Sequence, residues 1–165
     1  MRTLLQTRDG FLWIATEAGL ARFDGIEYDI FRTSNSPELK HNIIRALAED
    51  EQGTLWVGTQ EGLSRFHSGR FEPTSLTDVP VAALAVGRDG TVWIGTEALG
   101  LLSYHNGQLT SHAHEAAMRG PRVQCLFVDS RDRLWIGFTD RPGLVVGEDG
   151  RFSEVGDPKL RGSNI

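Results

Sequence analysis

The chain has 165 residues and a mass of 18.2 kDa, a length that suits one domain with a buried core. Its net charge is −5, so it lacks the surplus of Lys and Arg that neutralises phosphates, which excludes nucleic acid as a partner. No apolar run approaches the roughly twenty residues that span a bilayer, and Met1-Arg2 leads straight into an expected strand. We therefore expect no signal peptide, no transmembrane segment and no direct membrane contact.

One pattern is written four times along the chain, and each copy is anchored by one of the four tryptophans. These lie 43, 37 and 42 residues apart, a period found in propeller blades and in some helical repeats. Each follows Leu or Val and precedes Ile or Val, and a small residue comes next. A Gly-Leu pair stands six to eight residues after each tryptophan and is followed in three copies by an aromatic residue. The anchors in chain order are Trp13, Trp56, Trp93 and Trp135.

Run length and residue type indicate that the repeated elements are β-strands. The runs are five to seven residues long, rich in Trp, Ile, Val, Thr and Phe, and bounded by Gly turns. The 19 glycines weigh against helices, because each interior Gly costs about 1 kcal/mol relative to Ala. In the second copy the strands are expected at 43–49, 54–60, 63–67 and 70–76.

Four short antiparallel strands in each repeat of about forty residues predict an all-β protein, a β-propeller. The 165 residues form one repeat array with four blades of four-stranded antiparallel sheets. We expect the blades near residues 1–35, 43–76, 81–114 and 122–156.

The second copy reads Gly53, then Leu55-Trp56-Val57-Gly58-Thr59, then Gly62-Leu63 and Phe66. This pattern resembles the two-component regulator propeller family, whose repeat has an acidic-Gly turn, Leu-Trp-Ile-Gly-Thr, Gly-Gly-Leu and an aromatic residue. The resemblance covers almost the whole chain.

The fourth copy departs most from the family pattern. Asp132-Arg133 replaces the turn glycine, Phe138 replaces Thr, and Gly147 replaces the aromatic residue.

The resemblance implies a sensory, ligand-binding module of a bacterial signal-transduction protein, without catalytic activity of its own and without a cofactor. It also implies an extracytoplasmic, periplasmic location and an output domain, a histidine kinase or diguanylate cyclase, that is not in this chain. Two alternatives stay open. One is a protein–protein scaffold or self-associating propeller, and the other is a propeller lyase or hydrolase whose site assembles from distant loops.

The two ends of the chain fall in the same register of the repeat. Asn164-Ile165 matches Asn42-Ile43, and Met1-Arg2 matches Ile44-Arg45, so four whole periods are present. The chain is then either a four-blade part of a larger ring or a unit that closes by self-association. Open blade edges predict self-association in both cases. The expected partner is a small molecule of unknown identity, for instance a carbohydrate, or a partner propeller.

Variable loops between the copies, together with the turns between second and third strands, are expected to share one face. Binding on a repeated scaffold commonly resides in such loops. The predicted ligand-binding residues on this face are His41, Asn42, Glu61, Glu97, Arg122 and Arg141.

Two other features are interpreted as structural. His112 and His114 alternate along an outer strand and lack an evident third ligand, so we read them as solvated edge residues and predict no metal site and no catalytic residue. Cys125 occupies the repeat position of Ala46 and Ala83, which favours a small buried thiol.

The recurrent aspartates and tryptophans are also interpreted as structural residues. The aspartates near the first turn of each copy are expected to cap that turn, with cation binding in a central channel as the alternative. The tryptophans are expected to pack blade against blade, with an aromatic platform for sugars as the alternative. The turn aspartates are Asp9, Asp50, Asp89, Asp129 and Asp132.

Overall fold

A computed structural model describes residues 1–118, 122–139 and 141–155 of the chain. These residues form four antiparallel sheets of four strands each, and every sheet consists of four strands that are consecutive in sequence. A single 3-10 turn, Ala116–Met118, is the one helical element within the described ranges. The prediction of an all-β propeller with four-stranded antiparallel blades is confirmed.

The strands follow one another without crossovers inside a sheet. In chain order they are β1 (Thr3–Gln6), β2 (Leu12–Ala15), β3 (Leu20–Phe23), β4 (Tyr28–Phe31), β5 (Ile44–Glu49), β6 (Leu55–Thr59), β7 (Gly62–His67), β8 (Arg70–Thr77), β9 (Val81–Val86), β10 (Val92–Thr96), β11 (Leu101–His105), β12 (Gln108–Ser111), β13 (Val123–Val128), β14 (Leu134–Phe138), β15 (Leu144–Glu148) and β16 (Arg151–Glu154).

The chain divides into two compact units, Met1–Leu84 and Ala85–Ile165. The first holds the first two sheets and the start of β9. The second holds the rest of the third sheet and the fourth sheet.

The core of the first unit is an aromatic cluster between the first and second sheets. Trp13, from β2, is 2 % exposed and meets the Phe66 ring edge to face at a centroid distance of 5.0 Å. Phe31 stacks on Trp13 at 5.7 Å, and Phe71 meets Phe66 at 4.9 Å. Trp13, Phe31, Phe66 and Phe71 are called the aromatic quartet below. At Trp13 the tryptophan column therefore packs one sheet against the next, as predicted.

The core of the second unit is largely aliphatic. Leu101, Val123, Ile136 and Val145 are buried together, and Met118 closes the cluster from the 3-10 turn. Strand β10 of the third sheet packs against β13 of the fourth. The two sheets of this unit are thus joined by burial of apolar side chains, the dominant favourable term in folding.

The turn between the first two strands of a sheet is capped by the aspartate that the repeat places there. In the second sheet Asp50 Oδ1 accepts hydrogen bonds from the amides of Gln52 and Thr54, at 3.0 and 2.9 Å. Asp129 does the same for Arg131 and Arg133. These are the local side chain–backbone bonds by which Asp initiates turns.

The threonine that follows the tryptophan motif caps the opposite end of the sheet. The hydroxyl of Thr59 donates to the carbonyl of Gly62 at 2.9 Å and accepts from the amide of Glu61 at 3.2 Å. Thr96 makes the corresponding pair of hydrogen bonds in the third sheet. The repeat's Thr is therefore a turn residue.

In the second and fourth copies the small residue after the tryptophan permits a close approach of neighbouring side chains. A Cβ on Gly58 would lie 2.6 Å from Cγ1 of Val81 and 3.3 Å from Cβ of Ala46. A Cβ on Gly137 would lie 2.5 Å from Sγ of Cys125, on the strand beside it. Aliphatic and thiol side chains on first strands thus occupy the space that a Cβ would need.

The prediction that Cys125 is buried is wrong. Its thiol is exposed, and Phe127, two residues along the same strand and thus on the same face, is 64 % exposed. The error has a simple cause. Ala46 and Ala83 at the equivalent positions are covered, whereas none of the described residues covers this face of β13.

Candidate functional site

The indole N–H groups of the four tryptophans identify an exception within the repeat. Trp56 and Trp135 donate to the aspartate six residues before them, to Asp50 at 2.8 Å and to Asp129 at 2.9 Å. Trp13 donates to the hydroxyl of Thr7, also six residues before it, at 3.1 Å. In the third copy that position is a glycine, and no described residue accepts a hydrogen bond from Nε1 of Trp93.

Gly87 is that glycine, and it lies directly beside the indole nitrogen. A Cβ placed on Gly87 would be 3.6 Å from Nε1 of Trp93 and 2.8 Å from Oδ1 of Asp89. Since Nε1 is not among the buried polar atoms that lack a partner, it retains access to solvent. The missing side chain at position 87 therefore leaves an accessible donor.

A second glycine removes an aromatic ring at the same place. Gly147 pairs with Leu134 in the register that pairs Phe66 with Leu55 in the second sheet. The ring of Phe152 lies over the vacated position, because a Cβ on Gly147 would be 2.7 Å from its Cε1. Relative to the aromatic quartet of the first unit, the second unit thus lacks the counterpart of the Phe66 ring, which meets Trp13 edge to face.

A pocket of about 270 Å³ opens where these two side chains are missing. We call it the Trp93 pocket. Trp93 and Phe152 form two of its walls, their rings nearly perpendicular and 6.1 Å apart between centroids. Its other lining residues are Gly87, Asp89, Arg131, Asp132, Leu134, Gly147, Glu148, Asp149 and Gly150.

The polar lining of the Trp93 pocket is mostly acidic. Two carboxylates are already engaged: Asp89 accepts from the amide and hydroxyl of Thr91 at 2.9 and 2.7 Å, and Asp132 accepts from the amide of Arg88 at 2.9 Å. Burial raises the pKa of Asp89, but the hydrogen bonds from Thr91 outweigh it, so the pKa is lowered and the group is ionised at neutral pH. Glu148 and Asp149 have no partner among the described residues.

His112 lies at the back of this aromatic wall and is not the solvated edge residue that we expected. Its ring is 5.2 Å from Trp93 and 5.4 Å from Phe152, and its Nε2 is 2.9 Å from the hydroxyl of Ser103. Burial lowers the pKa of His112. It occupies the repeat position of Phe31, which explains why an imidazole is found in an aromatic cluster. His114, by contrast, is exposed.

Asp129 provides a test of the tryptophan–aspartate pair by pH. The hydrogen bond from the Trp135 indole, with those from Arg133, outweighs partial burial and holds the pKa of Asp129 far below its ordinary value of 3.8. Ionised Asp129 therefore stabilises the folded chain above pH 4, and this contribution is lost as the pH falls through the lower, folded-state pKa. We expect Asp129→Asn to lower the melting temperature at pH 6, and the gap to wild type to narrow towards pH 2. An equal gap at both pH values would contradict this assignment.

The residues predicted to bind ligand in the first unit lie at one end of its sheets. Nδ1 of His41 accepts from the amide of Ile43 at 3.0 Å, and Oδ1 of Asn42 accepts from the amide of Thr33 at 2.9 Å. Glu61 is exposed in the β6–β7 turn, which reaches this loop through the hydrogen bond from the Gln60 amide to the Ile43 carbonyl. The loop and turn are therefore adjacent, and ligand binding there stays a prediction.

In the second unit the predicted residues lie at the corresponding end. Arg122 is exposed, and its carbonyl accepts from the amide of Thr139 at 3.0 Å. The guanidinium of Arg141 donates to the carbonyl of Ala117 at 2.6 Å and lies 3.9 Å from the Phe138 ring centroid, so it already ties parts of the unit together. Glu97 is half-buried in the β10–β11 turn. None of the six predicted residues lines the Trp93 pocket, which lies at the opposite end of the fourth sheet.

Two glycines that depart from the repeat pattern are the sequence features that mark the Trp93 pocket. Gly147 replaces the aromatic residue in the fourth copy, but a single replacement of this kind indicates only a divergent copy of the repeat. Gly87 in place of an aspartate or threonine was also visible six residues before Trp93. Neither glycine predicts a cavity by itself, because the two positions are sixty residues apart and adjoin only in the folded unit.

Four-stranded antiparallel sheets repeated with the same register define this chain as a β-propeller repeat protein. The family model described as two component regulator propeller matches residues 38–61 and 75–98. These two stretches therefore match the repeat of that family, and the resemblance found in the sequence is confirmed.

Solved structures show the same fold. The extracellular domain of a hybrid two component system from B. thetaiotaomicron matches with a TM-score of 0.74 at 22% identity, over 94% of this chain and 24% of the other. The extracellular domain of a one component system from the same organism matches with a TM-score of 0.73 at 18% identity, over 92% and 24%. A catalytically inactive virginiamycin B lyase from Staphylococcus aureus matches with a TM-score of 0.73 at 13% identity, over 94% and 55%.

This chain thus spans about a quarter of the two signalling domains that it resembles. A search of curated proteins found no significant match. Among the described residues, no helix is both long and apolar enough to cross a bilayer.

Proposed function

We propose that this chain is an extracytoplasmic ligand-binding module of a bacterial signalling protein, and that the Trp93 pocket is where it binds. The observation that carries the proposal is the accessible indole N–H of Trp93, which no described residue accepts, in a pocket between two aromatic walls. Pockets with apolar walls and a few fixed polar groups are the usual form of small-molecule sites. The likeness to extracellular signalling domains supports the sensory role.

Ligand binding would connect two sheets that already share polar contacts at this end of the unit. Arg88, in the β9–β10 turn, donates its amide to Asp132 and its guanidinium to the carbonyl of Ser130, both in the β13–β14 turn. The third element around the pocket, the β15–β16 turn, carries Glu148 and Asp149 and is exposed. A ligand that contacts Trp93 and this turn would fix the turn against the third sheet. The role assigned to the module is non-catalytic, and the output would reside elsewhere in a longer protein.

The pocket can be closed by restoring the pattern of the first copy. There Thr7 accepts from Trp13 and donates to Asp9, so Gly87→Thr should place a hydroxyl between Trp93 and Asp89. We expect this variant to keep or raise the melting temperature, because it satisfies Nε1. We also expect it to weaken ligand binding by about tenfold or more, since one lost hydrogen bond and a steric block each cost about 1 kcal/mol or more.

The measurement is a thermal-shift screen with a panel of small molecules, followed by calorimetric titration of each binder. Arg122→Gln and Glu61→Gln serve as controls, because they alter the loop face and leave the Trp93 pocket intact. Binding that survives Gly87→Thr but is lost in a control variant would move the site to the loop face. Failure of every compound to bind wild type would contradict the proposed function.

A second candidate function, self-association as an interaction module, is favoured by the exposed face of β13. Phe127 is 64 % exposed and pairs with Trp135, while the equivalent pair in the first sheet, Leu5 and Trp13, is covered by the second sheet. We propose that this face binds a sheet of a second copy of the chain. That packing would repeat the contact that the first two sheets already make.

Light scattering at micromolar concentration tests this candidate. We expect wild type to show a mass that rises with concentration, and Phe127→Lys to remain monomeric because a charge cannot be buried unpaired at the contact. Ile26→Lys is the control, since Ile26 is 87 % exposed in the β3–β4 turn and its replacement should leave the mass unchanged. A wild-type chain that stays monomeric across the range would exclude self-association through this face.

A further inference from the structure

The Trp93 pocket has a charge that restricts the class of its ligand, and this inference rests on the proposed function. Four carboxylates line it, those of Asp89, Asp132, Glu148 and Asp149, against one cation, Arg131. The lining therefore carries a net charge of −3 when all groups are ionised, out of −5 for the whole chain. Clefts lined by one sign of charge concentrate ligands of the opposite sign.

The four carboxylates differ in whether their oxygens are available to accept hydrogen bonds from a ligand. Asp89 is committed to Thr91, and one oxygen of Asp132 is committed to the amide of Arg88. Glu148 and Asp149 flank the β15–β16 turn with no described partner, so they are the acceptors available to a ligand. Their position beside Phe152 places negative charge next to an aromatic wall.

Aromatic walls beside carboxylates suit an organic cation better than a neutral molecule. A cation within about 6 Å of an aromatic centroid is attracted by the negative face of the ring. Nε1 of Trp93 adds a requirement, because it is a donor only and is satisfied only by an acceptor atom on the ligand. The volume of about 270 Å³ restricts the ligand to the size of a small metabolite.

We propose that the Trp93 pocket binds a small organic ammonium ion that carries an oxygen acceptor. The ammonium group lies between the aromatic walls and the carboxylates of Glu148 and Asp149, and the oxygen accepts from Nε1 of Trp93. No bond is made or broken, and the ligand is held by charge, by the ring faces and by one fixed hydrogen bond.

Isosteric pairs of probes that differ in charge test the proposal on the full chain. Choline is compared with 3,3-dimethyl-1-butanol, and glucosamine with glucose, by calorimetric titration at low and physiological salt. We expect at least one cation to bind about tenfold more tightly than its neutral counterpart, with the preference shrinking as salt increases. The double variant Glu148→Gln, Asp149→Asn should remove most of that preference, and Gly87→Thr should weaken binding by about tenfold or more without lowering the melting temperature.

The outcomes separate this inference from the proposed function. Equal or tighter binding of a neutral probe, lost in Gly87→Thr, would overturn the ammonium assignment and leave the Trp93 pocket as the ligand site. A cation preference unchanged in the double variant would also overturn it. If both cations fail to bind while another compound from the panel binds in the pocket, the ammonium class is wrong. If no compound binds the pocket, both proposals fail.

Discussion

Replacing Trp13 by Ala should destabilise the first unit by about 3–5 kcal/mol, the range found for large aromatic side chains removed from a packed core. Trp13 is 2 % exposed, and its ring contacts those of Phe31 and Phe66. The truncation would leave a cavity where the first and second sheets meet, and the strands cannot collapse into it without losing their ladder hydrogen bonds. A loss of this size is a large fraction of the stability of a domain.

Urea denaturation followed by circular dichroism would measure the effect as a shift in the transition midpoint. Tyr28→Ala is the matched control, because Tyr28 belongs to the same sheet and stacks on Phe23 but is 58 % exposed. Truncating Tyr28 should lower the free energy of unfolding by less than about 1 kcal/mol, because this side chain buries little apolar area on folding. Similar shifts for the two variants would mean that Trp13 does not join the sheets as the structure indicates.

Gly62→Ala should destabilise the second sheet by about 3 kcal/mol or more, from strain and overpacking together. Gly62 has a φ of +133°, a conformation that residues with a Cβ rarely adopt, and it begins β7. A Cβ there would lie within contact distance of the carbonyl oxygen of Leu76, on the neighbouring strand β8. Because the obstacle is backbone, relief would require the two strands to separate.

Gly53→Ala is a control that combines a positive φ with open space around the added Cβ. Gly53 also has a positive φ, +75°, but a Cβ there would meet no atom within 4 Å. This control should cost about 1–2 kcal/mol, the penalty of the left-handed conformation alone. Both variants can be compared by denaturant midpoint and slope in the same buffer. Equal losses would show that β8 moves aside and that the close approach is not a constraint.

Much of the fold could be read from the repeat. The spacing of the four tryptophans and the Gly turns predicted four sheets of four strands, and the expected strands of the second copy coincide with β5 to β8 within one residue at each end. Asp50 and Asp129 cap first turns as expected. These features are predictable because strand periodicity and turn chemistry act between residues close in sequence.

The candidate site could not be read in the same way. Variable loops directed attention to His41, Asn42 and Arg122, at one end of the sheets, while the Trp93 pocket opens at the opposite end of the fourth sheet. The repeat pattern indicates that loops in general are candidates for binding, but it does not indicate which of them form a pocket. A cavity depends on which side chains are missing at facing positions, and that is a property of two sheets packed together.

The sequence alone therefore determined the four-stranded antiparallel sheets and the role of the turn aspartates, both of which rest on short-range hydrogen bonding and alternation. Only the tertiary structure decided that Cys125 is exposed, that His112 joins an aromatic wall, and that Gly87 and Gly147 open one pocket. The physical reason is that burial and cavities are set by contacts between sheets. Gly87 and Gly147 are far apart in the sequence, and only the packing of the third sheet on the fourth brings them into one pocket.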